Sequence, residues 1–348
     1  MSNILKQRNI KTDILTGLTG AMLTGSYALC TAASAGLGLW NVFFCVVICA
    51  LFSINQKNKI YAPDAFLFIP IHYVATECGS YYLPMCIVGG VVIYYLLSKV
   101  IKRNHRINSI IAWSTLILAL VATIILTNLY FGIGSSGSTA IEMLKSYRSL
   151  GFHPHFRGLL YGTITLFAMI TYPFKFRKLN KTLPAEFMTL LVPLILNLFL
   201  NPEREFSTVN EIPTFVYEKY NYSIPFGFSE SFEKANIIPI ILGCLYFGFV
   251  LFLRSSEQST SRNTLTNLAS GVMSFLPARQ FDITSYSAIS AIVTIAVSGA
   301  VIILCPNILA RIPMHCVGAL LIVSAWQQVP YKNLSLLFRK SDKGVKKL

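Results

Sequence analysis

Long apolar runs, separated by short polar or basic stretches, dominate the order of residues along the chain. A window of about 19 residues, the length suited to membrane spans, predicts apolar helices over residues 13–36, 38–54, 64–78, 82–101, 108–131, 157–174, 184–200, 235–254 and 264–276, with two or three more between 283 and 329. A helix needs about 20 residues to cross roughly 30 Å of hydrocarbon, so segments 64–78 and 264–276 are too short to span. The pattern predicts an all-α polytopic membrane protein with about 12 membrane segments.

Short segments at corresponding places in two halves of a chain are typical of transporters built from inverted repeats with discontinuous helices. The pattern therefore predicts a single membrane domain over residues 1–348. Its parts are a first inverted repeat over 1–200, an external acidic loop over 201–234, an incomplete second repeat over 235–329 and a basic cytoplasmic tail over 330–348.

Composition agrees with a bilayer as the solvent of this core. Hydrophobic residues make up 54% of the chain and charged residues 12%, and the mean hydropathy is +0.60, whereas about 25% of residues in soluble domains are charged. No Ser/His/Asp set, phosphate-binding loop or metal cluster is evident, and His153 and His155 flank a proline without a nearby carboxylate. We therefore expect neither an enzyme nor a bound cofactor or metal.

The placement of charge predicts the orientation in the membrane. The net charge is +15, and the basic residues cluster in short runs between apolar segments, whereas residues 201–234 contain six glutamates against three basic residues. Cytoplasmic loops carry an excess of Lys and Arg, so we expect an integral, multi-pass protein of a plasma or inner membrane with both termini cytoplasmic. The same placement argues against nucleic acid as a partner.

The sequence IYAPDAFLFIP, from Ile60 to Pro70, carries a helix breaker and an acid inside an apolar region. Proline suits the first turn of a helix, so a helix beginning at Pro63 or Asp64 would start inside the membrane. Its free N–H groups and positive dipole end would then attract an anion. The alternative is a proline kink in an ordinary packed helix, with Asp64 as its cap.

The stretch FLPARQFDITSYSAISA, from Phe275 to Ala291, is a candidate partner in the second half. Its proline precedes the hydroxyls of Thr284, Ser285 and Ser287 and then an apolar helix. Two half-helix N-termini meeting at the midplane would form a positive, hydroxyl-lined pocket for a small anion. Alternatively, such hydroxyls bond to their own backbone or to a neighbouring helix.

Several of these motifs, in this order, resemble the SulP (sulfate permease) family of anion transporters. The resemblance rests on the opening helix Asp13–Leu39, on Pro63 and Ala65 in YAPDA, on Asn267, Ser270, Gly271 and Pro277 in RNTLTNLASGVMSFLP, and on the run ARIPMHCVGALLIVSAW from Ala310 to Trp326. It covers nearly the whole chain and is weakest between residues 130 and 260. The chain resembles a C-terminally shortened member without the family's STAS domain.

The resemblance implies two inverted seven-helix repeats, with the anion between the N-termini of the third and tenth helices. Carried over by position, the substrate-binding residues would be Ser26, Tyr27, Pro63, Asp64, Ala65, Thr284, Ser285 and Tyr286. The eighth helix has no match to the family's Glu-Ser motif, so no residue is assigned there. Residues 283–305 suffice for one span but not for a half-helix and a full helix, which need roughly 35. One span would reverse the final helix and place the basic tail outside, against the excess of basic residues expected in the cytoplasm. Either this pair of helices is compressed or the topology is irregular.

We therefore expect secondary active transport of a small inorganic anion of the sulfate or bicarbonate class by alternating access. The sequence leaves open whether H⁺ or Na⁺ is coupled and whether the chain forms a homodimer. Intramembrane acids often mark proton relays, so Asp64 is either protonated with the anion or a plain N-cap. The alternatives for function are a non-transporting membrane partner derived from the family and a nucleobase permease of the same fold, for which Asp282 is the only nearby acid.

Overall fold

A computed structural model describes most of the chain. The described residues are 10–34, 38–54, 59–79, 82–101, 105–133, 137–151, 153–200, 237–254, 277–283 and 286–334. The acidic loop predicted over 201–234, the short helix predicted over 264–276, most of the basic tail, and the candidate site residues Thr284 and Ser285 lie outside these residues.

Within the described residues the chain is mainly helical. The α-helices are α1 (Ile10–Ser34), α2 (Leu39–Ile54), α3 (Phe68–Glu77), α4 (Leu83–Val100), α5 (His105–Phe131), α6 (Ala140–Leu150), α7 (Phe156–Lys175), α8 (Ala185–Leu200), α9 (Ile237–Arg254), α10 (Ala288–Leu304), α11 (Pro306–Leu309), α12 (Met314–Gln327) and α13 (Tyr331–Leu334). Two strands are present, β1 (Lys59–Pro63) and β2 (Pro277–Asp282), and a 3₁₀ turn over Ala65–Leu67 leads into α3.

Four of the described helices are long and apolar enough to cross a membrane, namely residues Ile10–Ser34, Leu83–Val100, Ile107–Phe131 and Ile237–Arg254. Large apolar side chains are exposed along the helices, such as Ile117 at 58%, Phe167 at 61% and Ile292 at 67%. A surface of this kind is stable against lipid and would not be stable in water. The prediction of a largely helical membrane protein is thus confirmed.

The expectation of an all-α fold is wrong in one place, where β1 and β2 form a two-stranded antiparallel sheet. Lys59 is opposite Asp282, and Pro63 is opposite Pro277 at the other end of the ladder. Backbone groups without water must be satisfied within the protein. On the free edge of β1 this is done by side chains, because the Ser53 hydroxyl accepts from the Tyr61 N–H at 2.9 Å and the Thr24 hydroxyl donates to the Tyr61 carbonyl at 3.2 Å.

The helix predicted over 64–78 is present and short. It begins with the 3₁₀ turn directly after Asp64 and ends at Glu77. Its predicted counterpart, the short segment over 264–276, lies outside the described residues. After β2 and residues 283–287 the chain continues as α10, a helix of 17 residues.

Helix α10 instead packs along α1 in the same direction. The Ser290 hydroxyl donates to the Asp13 carbonyl and the Thr294 hydroxyl donates to the Gly17 carbonyl, each at 2.9 Å. A Cβ atom added at Gly17 would lie 2.7 Å from the Ser290 carbonyl oxygen. Small residues and hydroxyl bonds are the usual means of close helix packing in membranes.

The final helices return to the end at which the chain begins. His315 lies against Gly132 at the end of α5, the Trp326 indole donates to the Thr123 hydroxyl at 2.9 Å, and the Ser109 hydroxyl donates to the Asn333 carbonyl at 3.3 Å. Helix α12 is thus antiparallel to α5.

Candidate functional site

The candidate site is built around Asp64, which begins the half-helix. One carboxylate oxygen, Oδ1, accepts from the Phe66 N–H at 2.9 Å and so caps the 3₁₀ turn. The other, Oδ2, accepts from Nε of Arg254 at 2.7 Å. Asp64 is fully buried, and an ionised side chain in such a place requires a partner of opposite charge. The structure therefore makes Asp64 both a cap and half of an ion pair.

Arg254 is the last residue of α9, and its guanidinium reaches back to the start of the half-helix. The group lies 5.6 Å from the centroid of the Phe66 ring and donates through Nη1 to the Gln328 carbonyl at 3.4 Å. Its side chain is 20% exposed. Sequence reasoning missed this residue, because an arginine that ends an apolar run also matches an ordinary interfacial anchor.

Tyr27 connects three helices and β2 near this point. Its hydroxyl lies 3.0 Å from the Ser324 hydroxyl of α12 and donates to the Glu186 carboxylate of α8 at 3.2 Å. Its ring centroid lies 5.5 Å from that of Phe281, which pairs in β2 with Ile60 of β1. The predicted site residue Tyr27 is thus brought next to the strands that precede both candidate N-termini.

Ser26 points into a different part of the molecule. Its hydroxyl donates to the Met22 carbonyl one turn earlier, at 2.6 Å. It also lines a cavity of about 330 Å³ between α1, α2, α8 and α10, whose wall is mostly aliphatic and includes Ser298. The structure therefore separates Ser26 from its neighbour Tyr27, since the two side chains leave α1 on different faces.

Pro63 ends β1, Ala65 begins the 3₁₀ turn, and both are buried beside Asp64. Tyr286 is buried on the other side of β1, where its hydroxyl donates to the Thr294 hydroxyl at 2.9 Å. Since Thr294 in turn bonds to α1, the described hydroxyls near the start of α10 serve helix packing. Thr284 and Ser285 lie outside the described residues.

The chemistry that these groups offer is binding. Guanidinium, hydroxyl and amide groups at the start of the half-helix can hold an anion or another hydrogen-bonding solute. The part of the chain that the structure describes contains no group of three or more His, Cys, Asp or Glu side chains placed to hold a metal ion.

Comparison with known proteins supports the architecture at low sequence identity. No family model matches the sequence, and no curated protein matches it. Among solved structures, the transmembrane domain of the cyanobacterium bicarbonate transporter BicA matches 96% of this chain with a TM-score of 0.67 and 14% identity. The chain has the fold of this transporter domain.

The anion transporter SLC26A9 shows the same likeness. Its overall structure matches 98% of this chain with a TM-score of 0.63 and 14% identity, and murine Slc26a9 in the inward-facing state matches 97% with a TM-score of 0.58 and 12% identity. The chain spans 90% of the BicA domain but only 62% and 64% of the two SLC26A9 chains. These likenesses establish the fold.

Proposed function

We propose that this protein is a secondary active transporter of a small inorganic anion, of the sulfate or bicarbonate class, and a relative of the SulP family. The observation that carries the proposal is the half-helix that begins at buried Asp64, beside Arg254, within a fold shared with bicarbonate and other anion transporters. A helix N-terminus with a nearby guanidinium attracts anions and repels cations.

The substrate site in this proposal lies at the start of the half-helix. We assign to it Pro63, Asp64 and Ala65, with Tyr27 from α1 and Tyr286 before α10. Ser26, Thr284 and Ser285 complete the assignment implied by the SulP resemblance. Among these residues, Tyr27 and Asp64 make the hydrogen bonds that reach other helices near the half-helix.

The proposal extends to coupling, topology and assembly. We assign both termini to the cytoplasm, because Lys11 opens α1, Lys59 opens β1 and Lys99 lies in the last turn of α4, as the excess of basic residues on that side requires. The same proposal includes coupling to H⁺ through Asp64, with Na⁺ as the alternative. It also includes the inverted-repeat arrangement and a homodimer. An uptake rate with the same pH profile in Asp64→Asn as in the parent protein would contradict proton coupling.

A second candidate function is a membrane partner that no longer transports. It is favoured by one observation, the ion pair in which Asp64 already neutralises Arg254. Such a pair would suit a static assembly as well as a transporter.

Uptake by proteoliposomes tests the choice. We expect saturable uptake of radiolabelled sulfate or bicarbonate by the parent protein. Tyr27→Phe removes the hydroxyl shared with Ser324 and Glu186. With a contribution of about 1 kcal/mol from this hydroxyl to anion binding, the half-saturating anion concentration should rise roughly fivefold. Tyr94→Phe, a buried tyrosine of α4, is the matched control and should retain uptake. Absence of uptake above empty liposomes for sulfate, bicarbonate and chloride alike would favour the second candidate.

A further inference from the structure

The guanidinium of Arg254 has hydrogen-bonding capacity that the described residues do not use. Arginine carries five N–H donors. One meets Asp64 at 2.7 Å and one meets the Gln328 carbonyl at 3.4 Å, so three have no partner within the described residues. The side chain is also 20% exposed, so the group is accessible from outside its ion pair.

Gln328, whose backbone contacts Arg254, carries a second polar group with unused hydrogen-bonding capacity among the described residues. Its backbone accepts from Arg254, and both the oxygen and the nitrogen of its side-chain amide are buried without a hydrogen-bond partner among the described residues. Buried amide groups are nearly always hydrogen-bonded in proteins. The side chain therefore calls for a polar occupant, and the same residue contacts the guanidinium through its backbone carbonyl.

We propose that Arg254 and Gln328 bind the transported anion, and that Asp64 is a built-in competitor for the same guanidinium. This inference rests on the proposed transport function and specifies its substrate as an oxyanion. A guanidinium pairs with two oxygens of a carboxylate-like or tetrahedral oxyanion at once, whereas chloride offers a single point of contact. Asp64 contacts Arg254 through one oxygen only, because its other oxygen caps the 3₁₀ turn, so the guanidinium keeps further N–H groups for such an oxyanion.

Electrostatics sets the direction of the competition. With Asp64 ionised at 2.7 Å from Nε, an incoming oxyanion meets a charge that is already neutralised and a like charge beside it. Asparagine at position 64 removes the negative charge but keeps an oxygen able to cap the 3₁₀ turn, since Asn and Asp are equally good N-caps. Asp64→Asn therefore removes the competitor with little change to the local backbone.

The test is oxyanion binding by the purified full-length chain in detergent, measured as the rise in unfolding temperature with sodium sulfate or sodium bicarbonate. Sodium gluconate keeps the ionic strength constant, and sodium chloride is the halide comparison. We expect the half-saturating sulfate or bicarbonate concentration to fall at least about tenfold in Asp64→Asn, because a like charge in contact is removed. Chloride should bind more weakly than either oxyanion.

A double variant keeps the test decisive. Arg254→Gln alone would leave Asp64 buried without its partner of opposite charge and strongly destabilise the protein, so Arg254→Gln is combined with Asp64→Asn, which leaves a neutral pair. The oxyanion response should disappear in this double variant and weaken in Asp64→Asn combined with Gln328→Leu. Equal responses in the parent, the single variant and the double variant would overturn the inference, as would no response in any of them.

These outcomes are separable from failure of the proposed transport function. Uptake in proteoliposomes together with equal binding by all variants would support the transport function and show that Arg254 does not bind the anion. A second outcome is tight oxyanion binding by Asp64→Asn that is lost in the double variant, in a protein that transports no anion. This outcome would support the binding site and contradict the transport function.

Discussion

The contact between α1 and α10 leads to a prediction that compares two glycines of α1, Gly17 and Gly25. A Cβ atom at Gly17 would lie 2.7 Å from both the Ser290 carbonyl oxygen and the Val293 Cβ atom, whereas one at Gly25 would meet nothing within 4 Å. Gly17→Ala and Gly25→Ala are therefore the same chemical change on the same helix in opposite surroundings.

The expected magnitude follows from these distances. Real Cβ atoms essentially never approach other atoms to within 3.0 Å, so Gly17→Ala forces the helices apart, and overpacking of this kind costs about 1–3 kcal/mol. The bond from Thr294 to the Gly17 carbonyl would be stretched as well, at roughly 0.6 kcal/mol. Alanine gains about 1 kcal/mol of helix propensity at either position. At Gly17 the loss exceeds that gain, whereas Gly25→Ala keeps the gain.

The assay is thermal unfolding of the purified protein in detergent, followed by the loss of the monodisperse peak in size-exclusion chromatography. All proteins are heated at the same rate, because unfolding of large proteins is often irreversible. We expect Gly17→Ala to unfold a few degrees below the parent protein and Gly25→Ala to unfold at or above it. An unfolding temperature of Gly17→Ala equal to or higher than that of Gly25→Ala would refute the close packing of α1 on α10.

Two further predictions concern hydroxyl and carboxyl groups. Thr294→Val keeps the side-chain shape but deletes both the bond from α10 to α1 and the acceptor of the Tyr286 hydroxyl, so the free energy of unfolding should fall by at least about 0.6–1.7 kcal/mol. No change in unfolding temperature would contradict the role of these bonds. The hydroxyl and N–H of Ser138 hold the pKa of Glu142 below its usual value. The contribution of ionised Glu142 to the free energy of unfolding is therefore present at pH values above the ordinary pKa of glutamate, and it is lost as the pH falls through the lowered pKa. Glu142→Gln should not show this loss of stability at acid pH.

Much of the helical pattern could be predicted because apolar length is a local property. Segments predicted over 82–101 and 184–200 correspond to Leu83–Val100 and Ala185–Leu200, and the short helix after Asp64 followed from proline and length. Helix α6 was missed, because Ala140–Leu150 is half polar and its signal is the capping box of Thr139 and Glu142 rather than an apolar run.

The pairings between distant parts of the chain could not be read from the sequence. Nothing in KIYAP or PARQFD identifies the other as its strand partner, and the pairing of Asp64 with Arg254 depends on how α9 lies against the half-helix. The length of residues 283–305 suited one spanning helix better than a half-helix and a full helix, and α10 is one helix of 17 residues there. The sequence left the topology of this stretch open, because the placement of α10 depends on its contacts with α1.

The packing of α1 has a consequence for the synthesis of the protein. Helix α1 is the least apolar of the four described helices able to span a membrane and the most enclosed by protein, with Asp13, Thr16 and Thr19 buried along it. The partners of Asp13 and Gly17 lie in α10, 277 residues later in the chain. Helix α1 is therefore synthesised long before the helix that contacts its buried face, so we expect a chain truncated before α10 to be degraded faster in the membrane than the parent protein.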